Sequence, residues 1–149
     1  MFELRTLLRI KAVGERHSGI EAALKRAAAR AHLKGESITA PWMIPPEHEE
    51  CRDDVWILDS PLPPESRLAT HLEFFSKLLG EAESYLCQLK AEGASIEILC
   101  WVKTDQFTTG FHIPLAIMDL RLLRIGVEIN IVVVNLGGFP HHIDPGHPL

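Results

Sequence analysis

The stretch LATHLEFFSKLLGEAESYLCQLKAEGASIEILCWV, residues 68–102, decides the fold. In its first part Leu68, Leu72, Phe75, Leu79, Ala82, Leu86 and Leu89 recur at alternating spacings of four and three. That is the period of one helix face, and His71, Leu78 and Tyr85 widen the stripe on the same side. Gly80 costs this helix about 1 kcal/mol against alanine, which predicts a kink or short break there. Three heptads without the flanking charge pattern do not make a coiled coil. Gly93 marks the end of the helical stretch. The period then drops to two: Ile96, Ile98, Cys100 and Val102 alternate with Glu97, Leu99 and Trp101. Both sets contain apolar groups, so this strand is predicted to lie centrally in a sheet. Fully burying a large apolar side chain contributes roughly 1.5–3 kcal/mol. Ordering each backbone residue costs about 1–2 kcal/mol. The stripe alone therefore cannot hold the helix, which needs a sheet beneath it.

Outward from this core the elements continue. VWILDS (55–60) reads as a short strand, and SPLPPES (60–66) as a turn that puts Pro64 and Glu65 in the first turn of the helix. After the central strand come a turn (TDQFTTG, 104–110), a short strand (FHI, 111–113) and a helix (PLAIMDLRLLRIG, 114–126). VEINIVVVN (127–135) follows, apolar on both faces and read as a second central strand. The order from Val55 to Asn135 matches a ferredoxin-like α+β unit: an antiparallel or mixed sheet with helices on one face. Ahead of it lie a strand, Glu3 to Val13, and an Ala-rich helix, residues 18–34, which read as an addition at the edge of the sheet. Ser18 and Glu21 occupy capping-box positions, and Gly35 stops the helix. Residues 35–54 read as an irregular connection that packs down as a cover through Ile38, Trp42, Met43 and Ile44. The predicted organisation is one domain, 1–139, with an irregular tail, 140–149.

The bulk numbers describe a soluble protein. The chain has 149 residues, 46% hydrophobic and 23% charged, and a formal charge of −5. No basic field draws it to nucleic acid or to anionic lipid. Apolar runs such as INIVVV are too short to span a bilayer, and the N-terminus lacks signal-peptide character. Three cysteines without CxxC spacing suit the reducing cytosol, so a cytoplasmic location is expected.

Catalytic patterns are missing. GERHSG (14–19) precedes a helix without the Lys-Ser/Thr of a phosphate loop, and neither a GxSxG elbow nor an HExxH zinc helix occurs. Cys51 sits in EHEECRDD, where carboxylates suppress the thiolate; His48 has no fixed pairing to it. Cys100 reads as a small core residue and Cys87 as a boundary residue. Arg26, Arg30 and Lys34, with Lys25 nearby, read as a solvated helix stripe. Glu97 and Glu128 lie on the two strands called central. In a shared cleft they would suit acid–base chemistry, but surface positions on an uncovered sheet face are the reading adopted. That face would also carry Trp101 and Val132, an apolar patch fit for a partner.

The segments VWILDS, HLEFFSKLL, YLCQLKAEGASIEILCWV, TGFHI and LRIGVEINIVV resemble a bacterial family, domain of unknown function 4279. Trp56, Gly110, Phe111, Gly126 and Ile129 stand at its pattern positions. The resemblance covers about Val55 to Val134 and leaves out the N-terminal third. It implies the fold, carries no catalytic residues, and suggests an immunity-type or partner-binding role by analogy only.

The expectation is a non-catalytic, cytoplasmic module that binds a protein or itself, with neither a nucleic-acid nor a membrane partner and with no cofactor. Trp42, Met43, Trp101, Glu97 and Glu128 are its candidate contact residues. The alternative is a small-molecule or metal-dependent enzyme, with a site between the 35–54 connection and the sheet and Glu97, Glu128 or His112 in a polar pocket. The tail GGFPHHIDPGHPL places His141, His142, Asp144 and His147 close together. These are good zinc ligands, but glycine and proline surround them and no regular structure orients them, so no structural metal site is expected.

Overall fold

The computed structural model describes residues 2–11, 16–40, 47–50, 53–105 and 121–135. Strand β1 (Phe2–Lys11) is the middle of a five-stranded sheet. The other strands are β2 (Arg30–His32), β5 (Val55–Asp59), β6 (Ser95–Thr104) and β7 (Glu128–Asn135), in the order β2–β5–β1–β6–β7. β1 runs antiparallel to both β5 and β6, β2 antiparallel to β5, and β6 parallel to β7. The sheet is therefore mixed and the class α+β, as the alternation of helical and two-residue periods predicts. Strands β5 and β6 run the same way with β1 inserted between them, a split βαβ arrangement.

Two placements differ from the sequence reading. The first strand is central, not an addition at the edge. Leu4, Leu8 and Ile10 are buried on one face, and Leu7 on the other, so both faces of β1 contribute to packing. Among the described residues the last strand lies at the edge of the sheet rather than at its centre. Its apolar run looks like a buried strand, yet Ile131, Val132, Val133 and Val134 are all exposed. The central place of β6 stands as predicted.

The helix side of the sheet is covered by α1 (His17–Leu24), α2 (Leu68–Glu81), α3 (Glu83–Ala91) and α4 (Arg121–Ile125). The predicted stripe is the core: Leu72, Phe75, Leu79 and Leu86 are fully buried, and Leu68, Ala82 and Leu89 nearly so. The break falls at Ala82 (φ −116°, ψ 21°), two residues after Gly80, and the stripe passes through it without interruption. Leu122 and Ile125 of α4 close the same core.

The Ala-rich helix is shorter than its composition suggests. It ends at Leu24, with Lys25 in the left-handed region at φ 53°. Ile20 and Leu24 are its buried residues, and beyond them only alanines would continue that face. Helix propensity is a weak prior that packing overrides. The chain instead turns out, the Ala29 N–H donates to the Ile57 carbonyl at 2.8 Å, and β2 pairs with β5. Ser18 does not cap the helix; Arg16 holds the cap position without a side-chain bond. The Glu21 carboxylate accepts from the Ala28 N–H at 3.0 Å, so it fastens the chain beyond the helix end. Arg26, Arg30 and Lys34 consequently do not form one helical stripe.

Residues 35–54 are not wholly irregular. β3 (Ser37–Ala40) and β4 (Glu47–Glu50) pair as an antiparallel ribbon, from Ser37 opposite Glu50 to Ala40 opposite Glu47. The predicted short strand at 111–113 and the first residues of the helix predicted from Pro114 lie outside the described residues, as does the tail.

Gly126 follows α4 at φ 76°, and its N–H donates to the Leu122 carbonyl at 2.9 Å. A Cβ there would stand 2.9 Å from Lys90 Cε. Gly126→Ala is expected to lower unfolding free energy by about 1–2 kcal/mol, the cost of a left-handed L-residue. Chemical denaturation of the two proteins measures it, and equal midpoints would refute the strained-stop account.

Candidate functional site

The sheet face away from the helices gathers the candidate residues. Side chains alternate across a strand, so the odd-numbered residues of β1 and β6 share this open face with the even-numbered residues of β7. The register places Glu3 beside Lys103, Arg5 beside Trp101, Leu7 beside Leu99 and Arg9 beside Glu97. On the far side of β6 it places Glu128 beside Glu97, Asn130 beside Leu99 and Val132 beside Trp101. Glu97, Trp101, Glu128 and Val132 are thus brought to one sheet face, but Glu97, expected at the surface, is buried. Trp42, Met43, Cys51, His112, His141, His142, Asp144 and His147 lie outside the described residues. His48 stands on β4, opposite Thr39.

Glu97 is the most heavily bonded side chain of the face. It is buried, and its carboxylate accepts from the Arg9 guanidinium and, at 2.7 Å, from the Asn130 amide. Lys11 Nζ lies 3.7 Å away. Burial, the largest single influence, pushes the carboxyl up; the Arg9 bond and charge, the Asn130 amide and Lys11 together outweigh it and hold the group below its ordinary value. Glu97 is accordingly a carboxylate at neutral pH, an acceptor without a proton to give. Glu128 beside it is exposed, and the two do not form the shared cleft that acid–base chemistry would need.

The rest of the face is a net of paired charges around an apolar centre. Asp59 accepts from Arg30 at 3.2 Å and lies 3.6 Å from Arg5, and Lys103 stands 4.0 Å from Glu3. Leu7 and Leu99 are buried in the middle, while Trp101 remains 37% exposed. Glu3, Arg5, Trp101 and Lys103 line a shallow depression of about 170 Å³. That is below the usual volume of a small-molecule site, roughly 300–1,000 Å³. Asp59 as a shared carboxylate was not read from the sequence. Its signal was present: Glu3, Arg5, Arg9 and Lys11 recur at even spacings and mark one charged strand face.

A second arrangement, also unforeseen, lies on the helix side. Ser60 Oγ and His71 Nδ1 are 2.7 Å apart, the contact of a serine activated by a histidine. The surroundings argue for a structural role. His71 is buried on α2, the Leu62 N–H also donates to Ser60 Oγ at 3.3 Å, and no carboxylate among the described residues orients His71 Nε2. Burial lowers the pKa of His71 below 6.5, opposed more weakly by the Pro63 carbonyl, so the imidazole is neutral in the fold. Because the unfolded imidazole binds protons more readily, this group favours the fold above pH 6.5 and loses that share as pH falls.

Of the three cysteines, Cys87 and Cys100 lie among the described residues, both as free thiols. Cys100 is a core residue as expected, its thiol pushed up to about 11 by burial against a smaller pull from Thr6. Cys87 is half-buried, its Sγ 3.8 Å from the Arg124 carbonyl. Among the described residues no cluster of three or more His, Cys, Asp or Glu could hold a metal ion, and no helix is long and apolar enough to cross a membrane.

Comparison with known proteins adds no assignment: no family model matches the chain, and neither does any curated protein or solved structure.

The lowered pKa of Glu97 makes its contribution to stability fully present above 4.5 and lost as pH falls through the folded value. Glu97→Gln is expected to destabilise the protein by about 1.5–3 kcal/mol at neutral pH, the worth of a hydrogen bond to a charged group. The gap should close below pH 4.5, where the parent carboxylate itself becomes protonated. Urea unfolding across pH measures it; a gap constant into acid would show no charge-linked contribution.

Proposed function

We propose that the protein is a non-catalytic module that binds another protein through the open face of its sheet. The observation that carries this reading is Trp101, a partly exposed aromatic beside exposed Val132, ringed by cross-strand ion pairs. Interfaces are built in this way, with an aromatic anchor, an apolar centre and a polar rim that excludes water. The rim charges are already paired within the chain, so they fix orientation more than they add affinity. The small depression beside Trp101 accommodates a partner side chain better than a substrate. The resemblance of residues 55–134 to domain of unknown function 4279 agrees by analogy with an immunity-type or partner-binding role. The free thiols Cys87 and Cys100 suit the reducing cytosol proposed as its compartment.

Affinity capture from the host with the parent chain and with Trp101→Ala tests the reading. One protein is expected to be enriched by the parent. In reconstitution with purified partner, the variant should bind at least about tenfold more weakly, since truncating an aromatic anchor costs ~2 kcal/mol or more. Equal binding by both proteins would remove the face from the account. Turnover in a substrate screen, with no partner recovered, would overturn the function.

A further inference from the structure

The two edges of the sheet are built differently. β2, at one edge, has three residues, and the register sets Arg30 and His32 on its open face. Arg30 is tied to Asp59. Short length and charge are the usual protection of an edge strand, whose unpaired N–H and C=O groups would otherwise template another chain. β7, at the other edge, has eight residues, and after Glu128 none of them is charged. Ile131, Val132, Val133 and Val134 are 38%, 41%, 50% and 40% exposed in succession. Successive residues point to opposite faces, so the strand is open on both sides. Among the described residues only β6 pairs with it.

We infer that β7 pairs edge to edge with the β7 of a second copy of this chain, joining two five-stranded sheets into one. The inference goes beyond the open-face reading: it concerns a second surface, the strand edge, and a second copy of the chain. A twofold axis normal to the sheet makes the two strands antiparallel and keeps both helix layers on the same side. Opposed residues must then share parity. With Val132 on the axis, Ile131 of one copy meets Val133 of the other, and Asn130 meets Val134. Every close pair is neutral, and the two Glu128 carboxylates stand at opposite ends of the ladder. Parallel in-register pairing would set those carboxylates side by side, which is destabilising, and would not close on itself. The strand is therefore self-complementary in the arrangement that also forms a closed dimer. Main-chain hydrogen bonds supply the affinity in strand addition, and the exposed valines and isoleucine supply the apolar contact.

Sedimentation equilibrium of the purified, untagged chain tests this. The mass is expected to rise with concentration from 16.7 kDa towards twice that value. Amide exchange in Ile129–Val134 should slow over the same range. Val132→Lys with Val134→Lys should hold the protein at the monomer mass with an unchanged circular dichroism spectrum. Trp101→Ala, which alters the open face but not the edge, should dimerise as the parent does. A constant monomer mass up to about 1 mM, the weak end of specific association, would overturn the inference. So would a dimer that survives the lysines, or one lost with Trp101→Ala. Should the two lysines unfold the chain, the exchange measurement on the parent decides by itself: no slowing with concentration refutes the edge pairing. A monomer that still binds a different protein through Trp101 refutes the dimer alone and leaves the proposed function standing.

Discussion

The pairing of β1 with β6 along the full length of both strands, from Phe2 opposite Thr104 to Lys11 opposite Ser95, sets the position of everything else. One face of this pair presents Leu4, Leu8, Ile10, Ile96, Ile98, Cys100 and Val102 to the helices. The other presents the charges, Leu7, Leu99 and Trp101. A slip of β1 by one residue would exchange its two faces, putting Arg9 into the helix core and Ile10 into the charged net. The register is consequently enforced from both sides: by apolar burial beneath the helices, and by the Arg9–Glu97 and Glu3–Lys103 pairs on the open side. β5 and β7 take their places against a pair already fixed.

The helix layer adapts to that sheet rather than shaping it. α2 and α3 are two helices with one continuous apolar face, which runs through the break at Ala82. α1 stops once Ile20 and Leu24 are buried. Where the core no longer rewards helix, the chain leaves it for a sheet edge, although every residue from Ala27 to Ala29 favours helix. The buried polar atoms follow the same order of priority. Trp56 Nε1 and His71 Nε2 lack hydrogen-bond partners among the described residues, a cost of about 1–3 kcal/mol each that packing offsets.

The Leu68–Leu89 stripe, the glycine stops at 93 and 126, and the central place of β6 were legible in the sequence because each is a local pattern. The place of β1 was not. Its charges at Glu3, Arg5, Arg9 and Lys11 look like those of an exposed strand, and only the register shows their partners at Lys103, Asp59 and Glu97. β7 misled in the opposite direction: continuous apolar composition signals burial, yet residues 131–134 are exposed, and among the described strands β7 is the last of the sheet. In the candidate site, Glu97, Trp101 and Glu128 followed from the two-residue period. The Ser60–His71 contact and the shared Asp59 did not, because their partners come from different elements at no fixed spacing.

The central position of β1 also has a temporal side. This strand leaves the ribosome before either neighbour exists, and Leu7 must wait for Leu99. At ordinary translation speeds that delay is roughly 5–20 s. During it a ten-residue strand holding three leucines, an isoleucine and a phenylalanine has no sheet to join. The alternating charges that neutralise one another in the finished sheet then have another use: they keep the nascent strand hydrated and apart from its neighbours on the polysome.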